Sequence, residues 1–210
     1  MNNIKYIFRD FRWTVVNLDV KKHWYVSQIS KIYDTTKDEI RKSLSDPRSK
    51  LRRWEISESE LWDQFSQNLG QTTHKECLTM FHKKDDILWK PYKSIVKFKD
   101  KLQNLWFKNI ILSDEIQAQG ENIRKIWRYD GFEDVILSCD IWLSKYDDVE
   151  NNTTEIFDYA LKKYNIQAEE VIFVDDTEKN CLAAATLWIK TVHAKDSKQV
   201  IKDLKKILNI

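Results

Sequence analysis

Two hydrophobic rhythms divide this chain. From about residue 20 to 90, apolar residues recur every three or four positions in HWYVSQISKIYD, TKDEIRKSL, EISESELWDQFSQNL and THKECLTMFHKK, the spacing of one helical face. Ser57 followed by Glu60 has the form of a capping box for the third helix, and Asp46-Pro47 is expected to break the second. From residue 94 the texture alternates. Amphipathic SIVKFKDKLQNL, EIQAQGENIRKI, TTEIFDYALKKY, EKNCLAAATL and SKQVIKDLKKIL separate and follow the strand-like NIILSD, DVILS, EEVIFVDD and KTVHA. Another short strand, Lys5–Asp10, precedes the helical stretch. These strands are β-branched and almost uncharged inside, as strands covered on both faces must be. The alternation predicts a parallel sheet with right-handed crossovers. The expected architecture is α/β: a Rossmann-like parallel sheet core from residues 1–18 and 91–210, with an inserted α-helical cap over 19–90.

In such sheets ligands sit beyond the carboxyl ends of the strands. The residues there are Asp10, Ser113 with Asp114, Ser138, and Asp175 with Asp176. Three converging carboxylates, Asp10, Asp175 and Asp176, repel one another and are costly to desolvate without a cation. A hard divalent ion with oxygen ligands, Mg²⁺, resolves that conflict. The Ser113 hydroxyl and the Lys145 ammonium would complete a site suited to a phosphoryl group. Each residue alone is a commonplace cap or surface charge; all of them in order at strand ends is the informative pattern.

Composition narrows the class. With 42% hydrophobic and 32% charged residues in 210, a packed core is expected rather than disorder. Interspersed charges summing to +2 offer no footprint for nucleic acid or an anionic membrane. No apolar run approaches the ~20 residues that span a bilayer, and MNNIKYIFRDF lacks a secretory apolar stretch. Cys77, Cys139 and Cys181 form no CxxC, and His23, His74, His82 and His193 have no metal spacing. A cytoplasmic protein acting on a small phosphorylated substrate is the expectation. Trp24, Tyr25 and Trp62, at helical spacing, are expected in the core of the cap.

With these residues in place, the chain resembles the haloacid dehalogenase-like (HAD) superfamily, in its phosphatase branch with a helical cap after the first strand. IFRDFRWTVVN resembles the first motif, IILSD the second, LSKYDD the lysine motif and FVDDTEKN the acidic motif. The resemblance implies Asp10 as nucleophile, Ser113 and Asp114 on the substrate side, and Lys145 as the catalytic lysine. It implies a metal held by Asp10, Asp175, Asp176 and the backbone carbonyl of Arg12, with Asn180 shaping the loop. The implied activity is Mg²⁺-dependent hydrolysis of a sugar phosphate or nucleotide through an aspartyl phosphate. Dehalogenation of a 2-haloacid and a catalytically silent binding domain are the rivals.

Two departures bear on that expectation. Arg12 stands where phosphatases of the family commonly have the Asp that protonates the leaving group, a task Arg cannot do at neutral pH; it either crowds the metal side or grips the phosphate. Tyr146 replaces the proline that usually follows the lysine.

The chain also has only 3 Gly where average usage of about 7% gives roughly 15, against 9 Trp. Trp106, Trp127 and Trp188 close helices where a left-handed glycine is wanted, and Trp13, Trp54 and Trp142 also fall at plausible glycine positions. The pattern is that of UGA codons written as Trp in a gene whose organism reads them as Gly. Arg9 and Arg12 are weaker candidates for related misreadings. A genome poor in G and C that lost Gly and Pro is the plainer explanation, supported by only 2 Pro.

Overall fold

The computed structural model describes residues 3–11, 14–17, 24–80, 90–126 and 131–210. Arg12, Trp13, His23, His82 and Trp127 lie outside the described residues. The chain enters a fully buried strand, β1 (Tyr6–Arg9), then a two-residue strand, β2 (Val16–Asn17). Helices α1 (Trp24–Ile32), α2 (Lys37–Arg52), α3 (Glu58–Asn68) and the single-turn α4 (Lys75–Leu78) follow. A second two-residue strand, β3 (Lys90–Pro91), pairs antiparallel with β2. The remainder runs α5 (Lys93–Asn104), β4 (Lys108–Ser113), α6 (Gln117–Ile126), β5 (Asp134–Leu137), α7 (Ser138–Ile141), α8 (Lys145–Asn151) and α9 (Glu155–Tyr164). It closes with β6 (Val171–Asp175), α10 (Glu178–Thr186), β7 (Lys190–His193) and α11 (Ser197–Leu208). The long strands form one all-parallel sheet in the order β5-β4-β1-β6-β7.

Strand alternation divides the core between two faces. Ile7, Ile172 and Val174 pack with Leu102 of α5 and Leu204 of α11. Phe8, Ile110 and Phe173 pack with Phe157 of α9 and Ala184 of α10. The inserted helices have a cluster of their own, built on Ile29, Tyr33, Ile40, Trp62 and Phe65, which also takes in Ile116 and Ala118 from beyond β4. Trp62 is buried there as expected; the side chains of Trp24 and Tyr25 lie outside the described residues.

The capping box at Ser57 and Glu60 forms, and a second one forms at Thr36 and Glu39. The break expected at Pro47 does not occur: α2 runs through it to Arg52. Proline there removes the donor for the carbonyl four residues back, that of Ser43. The side-chain amide of Asn68 donates to that carbonyl instead, at 2.9 Å, so the missing bond is replaced from α3.

Among the described residues, the non-glycine ones with positive φ are Asp34, Asn152, Asn165, Asn209 and four tryptophans: Trp54 (57°), Trp106 (68°), Trp142 (60°) and Trp188 (69°). Asp and Asn adopt this conformation readily; for a bulky residue it costs about 1–2 kcal/mol. Trp106, Trp142 and Trp188 are also 90%, 65% and 78% exposed, although Trp is highly buried on average.

Candidate active site

Because β4, β1 and β6 are adjacent and parallel, their carboxyl ends open at one edge. Asp10 follows β1, anchored by its N–H to the Val174 carbonyl at 2.8 Å. The Thr14 hydroxyl donates to the Asp10 carbonyl and holds the turn beyond it. Ser113, the last residue of β4, donates from Oγ to Asp10 Oδ1 at 3.1 Å. Lys145, the first residue of α8, reaches the same carboxylate: Nζ donates to Asp10 Oδ1 at 2.6 Å, Asp175 Oδ2 at 2.7 Å and the Leu112 carbonyl at 3.1 Å. Three acceptors match the three protons of the ammonium. Asp175, ending β6, also accepts from Thr177 N–H at 2.7 Å and Asn180 Nδ2 at 3.1 Å. Asn180 thus shapes the loop through Asp175.

Asp176 follows with a different environment. Its own N–H is the hydrogen-bond donor felt by its carboxylate, and its backbone carbonyl lies 3.1 Å from His193 Nε2. Both oxygens of Asp114 are taken by α8, accepting from Lys145 N–H and Tyr146 N–H at 3.0 Å each. Asp114 therefore sets where Lys145 begins its reach. Ser138 bonds Glu115 N–H and carbonyl, at 2.9 and 3.1 Å, and pins the loop after β4. The structure thus brings Asp10, Ser113, Lys145 and Asp175 into direct contact, sets Asp176 beside them and puts Asp114 behind the lysine. The candidate role of Arg12 lies outside the described residues.

Burial pushes the Asp10 carboxyl up to about 7, with Asp175 and Asp176 adding to the rise and Lys145 opposing it. For Lys145 burial favours loss of the proton, but Asp10, Asp175 and Asp114 outweigh it and hold the ammonium above its ordinary range. Burial and then Asp175 raise Asp176. One cation thus sits among several like charges, an arrangement with room for another. Among the described residues no three His, Cys, Asp or Glu side chains form a ready-made metal cage. The donor set nonetheless fits Mg²⁺, which takes one or two carboxylates and keeps several waters. Asp176 is near enough to Asp10 for its negative charge to be felt there, while the carboxylate oxygens of Asp175 are taken by Lys145, Thr177 and Asn180.

Sequence reasoning did not find the Leu112 carbonyl, because backbone acceptors leave no residue signature. It also missed Arg9 as a buried cation next in sequence to Asp10. Arg9 is fully buried on β1; Nε donates to Asn109 Oδ1 at 3.3 Å, while neither terminal nitrogen has a partner among the described residues. Burial pushes its guanidinium down to about 10.

The sequence model of the haloacid dehalogenase-like hydrolases matches residues 1–194. No curated protein matches the chain in sequence. Among solved structures, a HAD family enzyme of Bacteroides thetaiotaomicron in complex with magnesium is 20% identical, with 92% of this chain and 96% of that one covered and a TM-score of 0.71. The same enzyme is known with magnesium and inorganic phosphate. The Bacillus subtilis protein YfnB bound to magnesium is 12% identical, covering 99% of each chain, with a TM-score of 0.70. An L-2-haloacid dehalogenase is 12% identical, covers 96% of this chain and 99% of its own, and has a TM-score of 0.61. At such identities the likeness is one of fold; the family match rests on the sequence, and by it the chain belongs to the haloacid dehalogenase-like hydrolases.

Proposed function

We propose that this hydrolase is a Mg²⁺-dependent phosphatase acting on a small phosphorylated metabolite. The observation that carries the reading is the Asp10 carboxylate held by Lys145 Nζ at 2.6 Å and Ser113 Oγ at 3.1 Å, with Asp175 and Asp176 beside it. Asp10 attacks phosphorus; its new P–O bond forms as the ester P–O bond breaks, leaving an aspartyl phosphate that water hydrolyses. Lys145 and Ser113 orient Asp10, and each turns the proton it gives Asp10 toward a phosphoryl oxygen once that carboxylate bonds phosphorus. Asp175 keeps Lys145 in place, and Asp176 supplies the second carboxylate for the metal. The chemistry Mg²⁺ contributes when bound is charge neutralisation at the transferring group. The inserted helices close over the edge and exclude water.

Dehalogenation on the same nucleophile is the second reading, favoured by the fold likeness to an L-2-haloacid dehalogenase. That chemistry has no use for a metal, and the acidic pair speaks against it. The deciding experiment measures phosphate release from a panel of phosphate esters and halide release from 2-chloropropionate, with and without Mg²⁺. Phosphate release that requires Mg²⁺ and falls by at least ~10³-fold in Asp10→Asn supports the phosphatase reading; metal-independent halide release overturns it.

A further inference from the structure

Arg41, Arg48 and Arg52 on α2 are seven and four residues apart and share one helical face with Ser45 and Ser49, while Ile40 and Pro47 occupy the buried face. The arginine face lines a cleft of about 320 Å³ that Val26, Leu44 and Tyr146 also border. Tyr146 directly follows Lys145; its hydroxyl is 3.3 Å from Ser49 Oγ, and the Arg52 guanidinium lies 5.8 Å from its ring centroid. The Arg52 charge is felt at Asp114, which bonds the first turn of α8. Tyr146 and Arg52 thus tie the cationic cleft to the start of α8, where Lys145 begins. Among its acidic neighbours, Asp38 pairs with Arg41 and Asp46 with Lys50.

We propose that this cleft is a specificity subsite for a second anionic group, a carboxylate or a second phosphate, at the far end of the substrate. Guanidinium forks match the planar, bidentate geometry of such groups. The substrate class is then a phosphorylated hydroxy acid or a bisphosphate. This rests on the phosphatase reading.

The test compares glycerol 3-phosphate with 3-phosphoglycerate and fructose 1,6-bisphosphate, which separate the two anion types. The two-anion esters are expected to exceed glycerol 3-phosphate in kcat/KM by about tenfold or more. That ratio should fall toward one in Arg48→Ala and Arg52→Ala through a higher KM, and recover in part in Arg52→Lys. An unchanged ratio in both alanine variants overturns the subsite. If no ester is hydrolysed, the phosphatase reading fails, and the subsite is judged by thermal shift. A larger shift with 3-phosphoglycerate than with glycerol 3-phosphate, lost in Arg48→Ala, upholds it, and equal shifts overturn it.

A different observation, the backbone, carries a second inference. After α2, Trp54 N–H bonds Leu51 carbonyl and Glu55 N–H bonds Lys50 carbonyl; after α5, Trp106 N–H bonds Gln103 and Phe107 N–H bonds Leu102. These are complete Schellman motifs, which place a left-handed residue, usually Gly, at their centre. The end of α3 supplies an internal control: Gly70 N–H bonds Gln67, Gln71 N–H bonds Ser66, and Gly70 has φ 65°. The same bond pair is made with Asn165 at the end of α9, so among the described helix ends it is built on Gly, Asn and Trp alike. Trp188 closes α10 in the same conformation, and Trp142 closes α7. The described positive-φ residues other than these tryptophans are all Gly, Asn or Asp.

We infer that the working protein carries glycine at 54, 106, 142 and 188, the gene having UGA there and the source organism decoding UGA as glycine. Trp54 and Trp142 meet with ring centroids 5.0 Å apart and line a cleft of about 460 Å³ between the inserted helices and the core. Glycine at both opens that cleft. The gene should show UGA at these four codons and UGG at Trp62, buried inside α3, and tandem mass spectrometry of the native protein should find glycine-containing peptides. UGG at the four codons, or tryptophan in those peptides, overturns the inference. Independently, the fourfold Trp→Gly chain should melt roughly 10 °C above the chain as written, and an equal or lower melting point counts against the inference.

Discussion

Lys145 and Arg9 are both fully buried cations, and their surroundings predict opposite responses to mutation. The lysine has three acceptors, two of them charged; the arginine has the Asn109 side chain and two orphaned nitrogens. Removing a cation that compensates buried carboxylates costs about 3–5 kcal/mol. Lys145→Met should therefore lose that much in Mg²⁺-free urea denaturation, besides losing turnover. Arg9→Leu should gain about 1–3 kcal/mol in the same measurement, because it relieves unpaired donors and adds apolar area to β1. A loss of stability in Arg9→Leu would show that the guanidinium is satisfied in a way the described contacts do not contain. The strain at the left-handed tryptophans was legible in sequence because helix ends have a syntax, and a residue that breaks it is visible without coordinates. Which acceptors meet Lys145 was not legible, since a backbone carbonyl such as that of Leu112 belongs to every residue.

At the scale of elements, α2 depends on its first turn and on its neighbour. Hydrogen bonds from the Thr35 hydroxyl, and from the hydroxyl and N–H of Thr36, hold the exposed Glu39 carboxyl down at about 2, below its ordinary 4.5. A depressed acid contributes stability above its unfolded value and loses it on protonation. The contribution of Glu39 is therefore full above pH 4.5 and fades as pH falls to about 2. Glu39→Gln should flatten that part of the stability profile measured by acid titration. The second dependence is on Asn68, which stands in for the N–H that Pro47 lacks. Asn68→Ala should cost about 1 kcal/mol, and less in a Pro47→Ala background where the backbone donor is restored; a double-mutant cycle with no coupling would remove that account.

The same pair explains why Pro47 misled the sequence reading: local rules see the proline, and the replacement donor lies 25 residues from the Ser43 carbonyl it serves. The parallel strands were legible because β-branched runs such as VIFVD have few alternatives. Helix α8 was not, because KYDDVEN has no apolar stripe and is held by Ser144 and Asp114. The paired β2 and β3 are two residues each, too short to leave a pattern.

For the molecule as a whole, the chemistry is spread over distant parts of the chain, and its balance predicts which substrates react. On the phosphatase reading proposed above, the family resemblance puts Arg12 where a proton donor is usual, so the leaving group departs largely unassisted; such proton transfer typically contributes ~10²–10⁴-fold. Aryl phosphates should therefore outrun alkyl phosphates by about that factor, and a plot of log kcat/KM against leaving-group pKa should be steep. A flat plot would mean that another group delivers the proton. The insertion joins the core through the β2–β3 pair, where Val16 faces Pro91 and Asn17 faces Lys90. Its two crossings lie side by side there, and the inserted helices also pack on Ile116 and Ala118 of the core.

The sheet's register also sets a timetable for birth on the ribosome. Strand β1 is made first and ends in the middle of the finished sheet, with Tyr6 beside Lys108 on one flank and Val171 on the other. At ~5–20 residues per second the second partner emerges roughly ten to thirty seconds later. During that interval the inserted helices, whose contacts are mostly local, can fold without the sheet. The nascent Tyr-Ile-Phe strand can gain β4 partway through that interval but keeps its other edge open until β6 arrives, so a pause in translation before residue 171 prolongs the exposure of an apolar strand edge.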